Sequence, residues 1–173
     1  LPKEPKLLRM RIMAWYADSL YRLGRGRDAG KEFHQVLNFY PTVLRHLGIA
    51  LPVSLEVDGT KGAEFKERLS RSPRLRIEKE GLFSVKVEER QNSISLCLHG
   101  QKLYGCGVLH GEKFKESDDR VAESIDAFHE TVFAPRIELT QSDINSLDGR
   151  SVRQDARGAI DSLLGKKKKR GTP

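Results

Sequence analysis

Cys97 and Cys106 are the two cysteines of the chain, and their spacing allows them to react with each other. They flank a turn at His99-Gly100-Gln101-Lys102, so they fall on neighbouring antiparallel strands. Pairing Leu98 with Leu103 puts both sulfurs on one sheet face, diagonal to each other, and a one-residue bulge would bring them directly opposite. Two buried thiols are the plainer expectation, with a disulfide open to the pair in an oxidising compartment. Cys106 also stands between Gly105 and Gly107, but small neighbours suit tight strand packing and no base or orienting partner can be placed beside the thiol.

Other reactive residue types are present without the spacing that chemistry needs. The five histidines at 34, 46, 99, 110 and 129 have no second histidine or cysteine at a same-helix ligand spacing. Cys97 and His99 can share a strand face, yet two ligands do not close a zinc site. Glu88, Glu89 and Arg90 suit a solvated strand end, and Asp118 with Asp119 suits the start of a helix. Gly24-Arg25-Gly26-Arg27 lacks the Lys-Ser/Thr pair and the strand-to-helix setting of a phosphate loop, and connects helices instead. The expectation is a non-enzymatic protein with no metal and no cofactor.

The elements around these residues fall into two kinds. Pro52-Val53-Ser54-Leu55-Glu56-Val57 alternates, followed by turn chemistry at Asp58-Gly59-Thr60, a helix from Gly62 to Ser70 and a stop at Pro73. A short strand at Arg74 to Glu78 leads to three strands, at Phe83 to Val87, around Ile94, Leu96 and Leu98, and from Leu103 to Leu109. A helix capped by Ser117 or Asp118 then carries Val121, Ile125, Phe128 and Val132 on one stripe. A last strand at 136–140, a capping box at Thr140 to Asp143 and an apolar stripe of Ile160, Leu163 and Leu164 complete the reading. The fold class expected is α+β, a small antiparallel sheet packed by two helices behind an N-terminal helical hairpin.

That hairpin lies between Met13 and Pro41. Tyr16, Ala17, Leu20, Gly24, Ala29, Phe33 and Pro41 occupy the offsets of a tetratricopeptide repeat of about 34 residues, which the segment resembles. Met13, Leu20 and Val36 depart from the residues common in that family. The resemblance implies a protein-binding groove around Tyr16, Leu20, Phe33 and Val36 for a helix or an extended peptide. One repeat does not bury its own apolar face, so the hairpin needs a neighbour.

The segments EFKERLSRSPRLRI, FSVKV, ISLCLHGQKLYGCGV and VAESIDAFHETVF are together similar to the small envelope domains related to the amino-terminal domain of TolB and to envelope lipoproteins. Three regions follow: a tetratricopeptide-like part over 1–50, an α+β domain over 51–140, and a partly disordered helix and basic tail over 141–173. The resemblance implies a protein-interaction scaffold in bacterial envelope assembly, at the periplasm or outer membrane, with the cytoplasm left open.

Charge gives the alternative. The chain carries a net charge of +7, and Lys166, Lys167, Lys168, Lys169 and Arg170 supply five of those charges. Together with Arg25 and Arg27 they could bind nucleic acid or an anionic lipid surface by counterion release. The longest apolar run, Leu47 to Val53, is broken by Gly48 and Pro52 and falls far short of the ~20 residues of a membrane span.

Overall fold

The computed structural model describes residues 6–133. Three helices come first: α1 (Lys6–Arg22), α2 (Gly26–Phe39) and the single turn α3 (Val43–His46). They are followed by β1 (Leu51–Asp58), α4 (Gly62–Ser70), β2 (Leu75–Ile77), β3 (Phe83–Arg90), β4 (Ser93–His99), β5 (Leu103–His110), α5 (Gly111–Glu116) and α6 (Arg120–Val132). The fold is α+β with a helical pair at the front, as the periodicity predicts. The short helix α5 was not expected, since one buried residue, Phe114, is too little to set a period.

Gly24 ends α1 because its φ of +76° lets the chain reverse. The Arg25 N–H then donates to the Leu20 carbonyl and the Gly24 N–H to Tyr21, each at 2.9 Å, which satisfies carbonyls that a helix end leaves open. At α6 the cap is Asp119, one residue beyond the expected start. Its carboxylate accepts the Ala122 N–H at 3.1 Å and is held below the usual carboxylate range by that bond and by Arg68.

The sheet runs β2-β1-β3-β4-β5. β3, β4 and β5 form an antiparallel meander, while β1 pairs parallel to both β3 and β2. Val53, Val85, Val87, Leu96 and Leu98 lie on the face covered by α4 and α6; the alternate residues Glu56, Lys86 and Cys97 lie on the open face.

The route from β2 to β3 crosses β1. Val53 pairs with Ile77 on one side and with Phe83 on the other, so residues 78–82 must pass over β1 at that level. Gly81 makes the crossing, and a Cβ there would collide with the backbone of Val53 and Ser54.

One continuous core runs from Leu7 to Phe133. The helical pair shares it with the sheet: Phe33 of α2 meets Phe83 of β3, and the His34 Nδ1 lies 2.6 Å from the Tyr104 hydroxyl. Thr42, just before α3, donates to the Phe133 carbonyl at the end of α6. The N-terminal helices and the α+β part are therefore packed as one body over the described residues.

Candidate functional site

The residues proposed to line a groove are largely internal. Phe33 and Val36 are fully buried, Leu20 nearly so, and Tyr16 packs half-buried against the same core. The apolar face of α1 and α2 packs on this chain's own α3 and sheet, and these side chains lie in that core.

The basic residues of the alternative are divided. Arg25 and Arg27 are exposed at the α1–α2 junction, and Arg25 is paired with Asp28 at 2.6 Å. Lys166, Lys167, Lys168, Lys169 and Arg170 lie outside the described residues, as do the expected strand at 136–140 and the stripe of Ile160, Leu163 and Leu164. Among the described residues no helix is long and apolar enough to cross a membrane.

Cys97 and Cys106 are joined in a disulfide. The register slips by one residue between Leu98 and His99, so that His99 faces Leu103, Leu98 faces Gly105 and Tyr104 is the extra residue. That slip places Cys97 directly opposite Cys106, with Cα atoms 4.1 Å apart. Both sulfurs lie on the open face, because Leu96 and Leu98 on either side of Cys97 are buried beneath α6. The plainer expectation of two buried thiols is thereby replaced.

A serine and a histidine meet where sequence spacing gave no hint of it. Ser72 Oγ, after α4, lies 2.9 Å from His129 Nε2 on α6 and accepts the Arg74 amide at 3.2 Å. Burial, and secondarily Arg74, lowers the His129 pKa from 6.5 to about 4, so the ring is neutral at pH 7. With Oγ already accepting an N–H, its own proton is free to point to Nε2. So weak a base removes a serine proton poorly, and the pair ties the α4–β2 turn to α6. The Arg74 guanidinium strengthens the tie by donating to the His129 carbonyl at 3.1 Å.

A cleft of 610 Å³ lies beside β1. Its floor is Leu55 and Val57, one wall is Gly62 and Lys66 of α4, and its end is closed by Ile77, Glu78 and Lys79 where β2 stops. The cleft exists because β2 is short. β2 pairs with Leu51, Pro52 and Val53 only, leaving the second half of β1 without a strand neighbour on that side among the described residues.

Backbone polarity defines what the cleft offers. Leu51 donates its N–H to Arg74 at 2.9 Å and Val53 accepts from Glu78 at 2.8 Å, so the odd-numbered residues of β1 turn their polar groups towards β2. Leu55 and Val57 have the same parity and turn the same way, beyond the end of β2. Among the described residues no backbone group meets them there. Pro52 fits the same logic, since its missing N–H would face a level that β3 has not yet reached.

The charges at the rim are uneven. Lys66 and Lys79 are exposed and enter no ion pair among the described residues. Glu78, the acidic residue of the lining, is held by the Arg76 guanidinium at 2.6 Å and by the Tyr21 hydroxyl. That bond to Glu78 is also the main cause of a raised Tyr21 pKa. Arg76 in turn lies 5.0 Å from the centre of the Tyr21 ring. Among the described residues the cleft therefore combines an apolar floor, unpaired strand groups and two ammonium groups without ion-pair partners. Sequence alternation had shown that β1 is a strand; that half of it is an edge was a matter of strand order.

No protein family, curated protein or solved structure matches the chain.

Proposed function

We propose that this chain is a non-enzymatic protein-interaction module whose partner enters the cleft beside β1. The observation that carries the reading is the edge formed by Leu55 and Val57, where strand donors and acceptors lie open above a half-buried apolar floor. Such an edge binds an extended segment through its main chain, and side-chain pockets add selectivity. A scaffold in bacterial envelope assembly suits the rest of the molecule, because a disulfide on the solvent-facing side of a sheet persists in oxidising compartments.

Site-specific photocrosslinking in the native cell tests this reading. A photoreactive residue at Lys66, on the wall of the cleft, is expected to yield discrete protein adducts, while one at Lys113 on α5 yields none. Adducts from neither position, or from Lys113 alone, would remove the cleft as the binding surface.

A further inference from the structure

We infer that the occupant of the cleft is an acidic, extended peptide segment that adds to the sheet as a strand in line with β2. The inference rests on the interaction reading above and supplies the chemistry of the partner. Leu55 and Val57 together present two N–H donors and two carbonyl acceptors on the same edge, and a helix has no free main-chain groups of that spacing to meet them. A strand has them. At ~3.3 Å per residue, a segment of three or four residues spans the edge from Leu55 to Asp58.

The surroundings select the side chains. On the helix side the segment meets Leu55, Val57 and Ile77, which are half-buried apolar residues packed on the core. Gly62 contributes no side chain there, and even a Cβ added to it would stand 3.8 Å from the Val57 Cβ. An apolar side chain of the segment fits that space. The rim carries the Lys66 and Lys79 ammonium groups without carboxylate partners among the described residues, while the Glu78 charge is already matched by Arg76. Among the described residues the unmatched charges of the lining are thus positive, with Glu56 and Asp58 of β1 paired to Lys86 and Arg90, and the complementary segment alternates apolar with acidic residues.

Fluorescence anisotropy with the full chain decides the matter. The probe is a labelled Glu-Val-Glu-Val-Glu peptide, compared with Lys-Val-Lys-Val-Lys and with two versions of the acidic peptide N-methylated at alternate residues, one in each register. The acidic probe is expected to bind, and the double variant Lys66→Glu/Lys79→Glu to weaken it about five- to tenfold. One N-methylated register is expected to lose about tenfold while the other binds nearly as well, since only alternate amides of an added strand face the sheet. Both lysines are exposed, so unchanged urea midpoints verify that the double variant folds. Equal or tighter binding of the lysine peptide, equal effects of the two N-methylated registers, or no binding by the acidic probe would each overturn the inference. Adducts from Lys66 in cells alongside a silent acidic probe would leave the interaction reading standing and sink the acidic strand alone.

Discussion

The Phe33 ring of α2 stands edge-on to the Phe83 ring of β3, with centroids 6.3 Å apart and planes at 83°. Phe83 in turn meets Tyr104 of β5 at 5.8 Å, so three aromatic rings join the N-terminal helices to both ends of the meander. This arrangement makes the helical pair part of the same core as the sheet.

Phe33→Ala is therefore expected to destabilise the whole described body, by about 3–5 kcal/mol, because a fully buried ring is lost at the junction. Urea unfolding followed both by Trp15 fluorescence on α1 and by far-ultraviolet circular dichroism is expected to give one coincident transition. Two separate transitions in the unmutated protein would show that the hairpin folds apart from the sheet.

Gly81→Ala is expected to cost at least ~2 kcal/mol, since the added methyl meets the β1 backbone where the chain crosses it and no flexible side chain can yield. Gly30→Ala is the control: it lies in α2 with open space around it and is expected to be neutral or slightly stabilising. Chemical denaturation of both variants measures the difference, and equal midpoints would disprove the crossing.

Proline substitutions read the edge of β1 directly. Glu56 turns its N–H to β3, so Glu56→Pro removes a ladder bond and is expected to cost about 3 kcal/mol. Val57 turns its N–H into the cleft, so Val57→Pro is expected to cost clearly less. Thermal melts rank the two, and the reverse order would contradict the edge assignment.

Stability should fall as pH drops through the range set by His129. Its folded pKa of about 4 lies below the unfolded value of 6.5, so the unfolded chain binds the extra proton first. The stability conferred by the neutral ring is complete above pH 6.5, declines as pH falls, and is lost by about pH 4. Between pH 7 and pH 5 the loss amounts to about 2 kcal/mol. Urea titrations at the two values check this, with His129→Gln expected to flatten most of the difference; an equally steep variant would assign the effect to other groups.

Reducing the Cys97–Cys106 bridge releases a loop closed across nine positions and is expected to cost about 2–3 kcal/mol. Calorimetry with and without dithiothreitol measures the shift in Tm. The Cys97→Ser/Cys106→Ser variant should melt with the reduced protein and ignore the reductant.

The sequence by itself determined the local units. Twofold alternation in Phe83 to Val87 and Ile94 to Leu98, the four-three-four stripe of α6, and Gly24 at the end of α1 each act over a few residues, where side-chain direction and backbone sterics are set by immediate neighbours. They marked the elements and their inner faces. They also marked Leu20, Phe33 and Val36 as apolar, which is as true of a groove as of a core.

Tertiary structure decided what each face meets. Among the described residues strand order left half of β1 bare, the one-residue slip at Tyr104 joined the cysteines, and Ser72 found His129 across 57 positions of chain. None of these could be read from periodicity, because a period fixes the direction of a side chain relative to its own element and says nothing about which element lies opposite. The cleft beside β1 is the product of that missing information: a strand that every local signal identifies, and a neighbour that ends after three residues.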